Sequence, residues 1–255
     1  MKPSFNRHTL VWMRPESRVK VAAQITDDAM HAHVDAWLVA DRPLVVARQP
    51  VTEKNFSDVG ASHAREPNFN RGHGPLLQDR FSVGNESGEI ISAGLALPPA
   101  QGKRRIAFSV SVYDIARCTP PLLLADALAH APVEWQPALA ELDASATTIE
   151  LELRVFGSLA WQALSGLPYL TPRSDIDLLW HPHSHAQLQQ GIALLARWEH
   201  DSGLRADGEV LFGENSAVSW REWATLKPDD IQRVLVKRES SAQLIETREL
   251  LEMLA

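Results

Sequence analysis

Two carboxylates one residue apart stand inside an apolar run at Ser174-Asp175-Ile176-Asp177-Leu178-Leu179-Trp180. In a β-strand alternate side chains share a face, so Asp175 and Asp177 project together while Ile176 and Leu178 point the other way. Their Cα atoms then lie about 6–7 Å apart, close enough for both carboxylates to grip the same metal ions. An unpaired charge among apolar neighbours is costly, and a hard divalent cation is the simplest partner for such a pair. Eighteen residues earlier Gly157-Ser158 follows the strand-like segment LELRVF. Glycine allows a tight exit from a strand, and the helix that follows offers unpaired N–H groups and a hydroxyl to a phosphate oxygen. Taken alone, Gly-Ser reads as a turn with a serine helix cap. Together with the acidic pair it reads as a phosphoryl-transfer site.

Such a site needs a further carboxylate on a neighbouring strand. In LRADGEVLF, Asp207 and Glu209 share a strand face. Glu209, directly before Val210-Leu211-Phe212, is the preferred third ligand, because Asp207-Gly208 also reads as a hairpin turn. Arg173 in TPRSD is the preferred cation for a polyphosphate, with Lys237 in VLVKR and Arg154 as alternatives. His181, His183 and His185 have metal-like spacing, but Pro182 interrupts them and no cysteine or helical His pair completes a zinc site. His31 and His33 face different directions on a predicted helix.

These residues need a fold of moderate size. The chain has 255 residues, 45% hydrophobic and 22% charged, enough for one large domain or two small ones. A net charge of −7 argues against a partner held by its phosphate backbone, so no nucleic acid is expected. Eight tryptophans are scattered singly, which suits core packing better than a base-stacking platform. The lone Cys118 excludes an internal disulfide and fits a reducing compartment. No signal-peptide-like stretch opens the chain and no run nears about 18 apolar residues. The expectation is a cytoplasmic protein with no membrane contact.

Along the chain, strands are expected at 10–13, 43–48, 90–97 and 106–112, with a helix over 27–38. Residues 49–75 lose periodicity and read as a loop insertion. A small, mainly β N-terminal domain is therefore expected over 1–115. Over 116–255, helices at 121–131 and 135–149 lead into alternating strands and helices: strand 151–156, helix 158–165, strand 175–181, helix 184–202, strand 204–212, strand and helix around 217–227, then a strand and a final helix. The fold class is α+β, with a mixed sheet and helices in the second domain.

The set Gly157-Ser158, Asp175-x-Asp177 and a later strand carboxylate resembles the nucleotidyltransferase superfamily built like DNA polymerase β. The fuller wording FGSLAWQALSGLPYLTPRSDIDLLW is similar to malonate decarboxylase holo-acyl-carrier-protein synthases, the phosphoribosyl-dephospho-CoA transferases. So are RPLVVAR at 42–48, GLALPP at 94–99, RRIAFSV at 104–110, PPLLLADALAHAP at 120–132 and VSWREW at 218–223. The resemblance covers most of the chain except 49–75. It implies transfer of phosphoribosyl-dephospho-CoA from 2′-(5″-triphosphoribosyl)-3′-dephospho-CoA to a serine of the apo acyl carrier subunit of malonate decarboxylase, with loss of pyrophosphate. Asp175, Asp177 and Glu209 or Asp207 would then bind two Mg²⁺ ions, with Mn²⁺ as an alternative, and Gly157-Ser158 would seat the leaving phosphates. The N-terminal domain would hold the CoA arm or the carrier protein. Competing readings are a nucleotidyltransferase with another hydroxyl acceptor, an RNA-directed member, and a catalytically idle nucleotide-binding or carrier-docking module.

Overall fold

The computed structural model of the chain describes residues 5–48, 89–226 and 232–254. The expected insertion at 49–75 lies outside them. The described residues form an α+β structure of two sheets, each with its own hydrophobic core.

The first sheet holds β1 (Leu10–Met13), β2 (Leu44–Val46), β3 (Ile90–Ala96), β4 (Arg105–Ser111) and β5 (Ile115–Thr119), in the order β4-β3-β2-β1-β5. Every pairing is antiparallel. In β3 and β4 buried and more exposed residues alternate, as expected when one face of a sheet is covered. Helices α1 (Pro15–Ala22) and α2 (Asp28–Val39) cover it, burying Val21, Val34, Trp37 and Leu38. Asp27 caps α2 by accepting from the Met30 amide at 2.9 Å. Helix α1 escapes a sequence reading because its apolar residues are few and unevenly spaced. Strand β5 belongs to the first sheet, and the chain enters the second sheet after Pro120-Pro121.

The second sheet runs β12-β11-β10-β9-β8-β7-β6. Its strands are β6 (Leu122–Leu123), β7 (Arg154–Val155), β8 (Ile176–Trp180), β9 (Ala206–Phe212), β10 (Ser216–Ser219), β11 (Arg233–Lys237) and β12 (Ala242–Glu246). Among the described residues only β8 and β9 pair in parallel, joined through the long helix α6 (His185–Ser202), as a parallel crossover requires. Helices α3 (Leu124–Ala127), α4 (Gln136–Thr148), α5 (Gly157–Ser165), α7 (Trp220–Ala224) and α8 (Thr247–Glu252) complete the unit. Trp135, Leu139 and Leu142 all point into the core, as their spacing predicts. The expected helix 121–131 is shorter than predicted, because Leu122 and Leu123 are drawn into a strand against Val155 and Arg154. No hairpin forms at Asp207-Gly208. Strand β9 runs through it, with Gly208 at φ +134°, where an added Cβ would sit 1.9 Å from the Leu178 carbonyl oxygen.

Side chains tie the two sheets together. The Tyr169 hydroxyl donates to the Ala96 carbonyl at 2.7 Å, and Arg42 donates to the Ser165 carbonyl at 2.8 Å. Between the sheets lies a cleft of about 680 Å³, lined from both.

Candidate active site

Helix α5 and strand β8 bring the two sequence signals together. Gly157 stands at φ +64°, and a Cβ built on it would lie 1.8 Å from Asp177 Oδ2. Only glycine satisfies both the left-handed backbone and this approach. The next backbone amide, of Ser158, hydrogen-bonds the Asp177 carboxylate. The first turn of α5 therefore opens onto Asp177, and Gly157, Ser158 and Asp177 all line the intersheet cleft.

The parallel register sets Asp177 of β8 directly beside Asp207 of β9. Burial raises the Asp177 carboxyl from the usual range to about 6; the charges of Asp207 and, less strongly, Asp175 push the same way, and the Ser158 amide and Arg105 oppose them. Asp175 lies just before β8 and pairs with Arg205 at 3.3 Å. Asp207 is exposed, and its side chain accepts from the Gly208 amide at 2.7 Å.

Glu209 shares the Asp207 face but is 5% exposed and already paired. Its carboxylate accepts from Lys237 Nζ at 3.0 Å and pairs with Arg7 across the intersheet boundary. His8 stands next to this pair, with Nε2 3.8 Å from Glu209 and its ring 4.3 Å from that of Phe156. Burial, then Arg7 and Lys237, lowers the His8 imidazole to about 3, so it is neutral. His8 also holds φ +73°, a conformation rare for a side-chain-bearing residue.

Of the expected cations, Lys237 is half-buried beside Glu209, with its proton affinity lowered first by burial and then by Arg7. Arg154 pairs with Glu152 and donates to the Pro121 carbonyl, and lines a second cleft of about 590 Å³. Arg173 is exposed in the turn before β8 and lines neither cleft. The cations that do face Gly157, Ser158 and Asp177 come from the first sheet and its flanks: Arg7, Arg48, Lys103 and Arg105. The one sequence signal for them is the basic run Lys103-Arg104-Arg105 at the start of β4, which reads by itself as a polar turn.

Among the described residues no group of three or more His, Cys, Asp or Glu is arranged to hold a metal ion. The donor set is the Asp177–Asp207 pair, with Asp175 engaged by Arg205 and Glu209 by Arg7 and Lys237. A half-buried carboxylate whose charge is opposed by a second carboxylate suits a cation. Mg²⁺ commonly takes one or two carboxylates and completes its shell with water and substrate phosphates. The residues present therefore fit such an ion. His181 and His183 meet edge to face at 5.5 Å and belong to no such group. No helix among the described residues is long and apolar enough to cross a membrane.

The phosphoribosyl-dephospho-CoA transferase MdcG C-terminal domain family matches residues 123–248, and the corresponding N-terminal domain family matches 58–121, a span that takes in 58–75. A phosphoribosyl-dephospho-CoA transferase of Xanthomonas campestris pv. campestris (strain 8004) is 38% identical over 239 residues, 94% of this chain and 93% of the relative. A protein of the same name from Xanthomonas euvesicatoria pv. vesicatoria (strain 85-10) is 37% identical over the same shares. Another, from Bradyrhizobium diazoefficiens, is 41% identical over 132 residues, 52% of this chain and 58% of the relative. No solved structure matches. With both family domains matched and relatives aligned along nearly its whole length, the chain belongs to the phosphoribosyl-dephospho-CoA transferase MdcG family.

Proposed function

We propose that this transferase moves the phosphoribosyl-dephospho-CoA group from 2′-(5″-triphosphoribosyl)-3′-dephospho-CoA to a serine hydroxyl of the apo acyl carrier subunit of malonate decarboxylase. The observation that carries the reading is the meeting of the first turn of α5, Asp177 and Arg105 at one cleft, as a polyphosphate under attack would need. The second unit acts as a nucleotidyltransferase domain built like DNA polymerase β. The first unit supplies the cations and a wall for the CoA arm.

The seryl oxygen attacks the α-phosphorus in line, the Pα–O–Pβ bond breaks, and pyrophosphate leaves with the electron pair. The amides at the start of α5 hydrogen-bond the β- and γ-phosphates. Arg7, Arg48, Lys103 and Arg105 offset the charge of the chain of phosphates. The carboxylates of the Asp177–Asp207 pair take up the proton that the hydroxyl loses. A divalent cation, Mg²⁺ or Mn²⁺, held by Asp177 and Asp207 with Asp175 beside them, would supply further stabilisation of charge on the phosphates. Glu209 stays with Arg7 and Lys237 and orients them, so Asp207 is the third carboxylate.

The test is the intact mass of the apo carrier after incubation with the protein, the triphosphoribosyl donor and Mg²⁺, beside an Asp177→Asn reaction. The carrier should gain the phosphoribosyl-dephospho-CoA mass with the unaltered protein alone. No gain with a folded protein would redirect the search to another hydroxyl acceptor.

A further inference from the structure

Helix α5 carries more than the glycine and serine at its start. Trp161 follows Gly157 by four residues and Ser158 by three, the spacing that places side chains on one helix face, and Leu164 follows a turn later. All four line the intersheet cleft. With a rise of about 1.5 Å per residue, Trp161 lies about 6 Å and Leu164 about 10 Å along the helix from Gly157. The cleft thus changes character along α5. Gly157 and Ser158 begin the helix beside Asp177, and Trp161 and Leu164 line the cleft one and two turns further along it, with Leu97 and Tyr169 also in the lining.

The Trp161 ring is held in place although it is only half-buried. Trp37 meets it edge to face at 5.5 Å, and Tyr169 lies nearly parallel to it at 6.3 Å. Trp37 is itself fixed by a 2.9 Å hydrogen bond to the Pro43 carbonyl, and Tyr169 by its bond to Ala96. Burial pushes the Tyr169 phenol up to about 12, so it stays a neutral donor in that bond. A half-exposed indole locked by buried neighbours is a rigid apolar platform, and its ordering has already been met in folding. Scattered tryptophans read as packing residues in sequence, and seven others are consistent with that. Trp161 is the one among them that lines this cleft on the same helix face as the phosphate seat.

Resting on the proposed function, we propose that Trp161 seats the adenine ring of the donor's dephospho-CoA moiety, so that one helix face orders the donor from its phosphates to its purine. The chemistry matches: adenine offers two flat π-faces, and the reacting triphosphoribosyl group and the base are both carried by the same adenosine ribose. An aromatic platform recognises such a base by stacking, without reading its hydrogen-bonding edge.

Direct calorimetric titration tests this without requiring turnover. Dephospho-CoA, 4′-phosphopantetheine (which lacks the purine) and pyrophosphate would each be titrated into the unaltered protein, Trp161→Leu, Trp161→Phe and Arg105→Ala. Trp161→Leu keeps apolar bulk against Trp37 but removes the platform. It should weaken dephospho-CoA about tenfold and leave phosphopantetheine and pyrophosphate within about twofold. Trp161→Phe, with a smaller ring, should weaken dephospho-CoA about threefold, and this variant carries the test if the leucine protein does not fold. Arg105→Ala should weaken pyrophosphate and spare dephospho-CoA. Equal weakening of dephospho-CoA and pyrophosphate by the Trp161 variants, or no weakening of either, would reduce Trp161 to an interface residue and overturn the seat. So would failure of the unaltered protein to bind dephospho-CoA. If dephospho-CoA binds through Trp161 but no mass is transferred to the carrier, the seat stands and the acceptor assignment falls.

Discussion

Gly157 and Asp177, on adjacent elements of the second unit, approach so closely that a methyl group on Gly157 would occupy the place of Asp177 Oδ2, 1.8 Å from it. The glycine is needed twice over, for its φ of +64° and for this contact. It also hands the following amide, that of Ser158, to the same carboxylate. The start of α5 and the acidic pair are thus one geometric unit. Gly157→Ala should push Asp177 out of position and lower transfer at least about 100-fold. Intact-mass assay of the carrier, with circular dichroism to show the fold persists, checks it; an alanine variant within threefold of the unaltered rate would break the link.

Asp177 also predicts a pH dependence of stability. Its carboxyl titrates near 6 in the folded chain, above its ordinary value of 3.8, so the folded state binds the proton more tightly than the unfolded state. The stability this gives is fully present below about pH 4 and is lost as pH rises through 6. In metal-free protein at pH 8, Asp177→Asn should therefore be more stable than the unaltered chain, by on the order of 2–3 kcal/mol, and the difference should vanish near pH 4. Adding Mg²⁺ should stabilise the unaltered protein at pH 8 and not the variant. Urea melts at the two pH values decide it.

His8 predicts the opposite slope. Burial beside Arg7 and Lys237 holds the imidazole neutral down to about pH 3, against 6.5 for the free side chain. The unfolded chain takes up this proton first, so its contribution to stability is present above 6.5 and is lost as pH falls toward 3. His8→Asn, which tolerates the positive φ, should flatten the loss between pH 6.5 and 4. An unchanged acid limb in thermal melts would mean that the imidazole is not held neutral.

Glu209 separates two roles by experiment. It is buried between Arg7 and Lys237, so Glu209→Gln leaves two cations facing one another without their shared anion. The loss should be about 3 kcal/mol, independent of Mg²⁺, and Lys237→Met together with Glu209→Gln should recover part of it. Asp207→Asn should do the reverse, leaving stability nearly unchanged and removing the Mg²⁺ dependence of transfer. A Glu209→Gln protein of unaltered stability that no longer responds to Mg²⁺ would restore Glu209 as the third ligand.

Much of the second unit was legible from local pattern. The strand at 176–180, the helix from Ser184 and the helix over 136–148 follow from apolar spacing and caps, because in these segments local preference and burial agree. Gly157-Ser158 and Asp177 were legible for the same reason: a turn residue after a strand, and a charge where burial forbids a lone one. What the sequence could not decide was which of several like-charged groups meet. Asp207 and Glu209 alternate identically along β9, and only the parallel register with β8 sets Asp207 beside Asp177, while the approach of the first sheet gives Glu209 to Arg7. Arg173, five residues from the centre of β8, is exposed, whereas Lys103 and Arg105, more than 50 residues before Gly157, line its cleft. Spacing along the chain fixes which side chains share a face of one element. Distances between elements depend on how two sheets dock, and that is set by burial summed over many residues far apart in the chain.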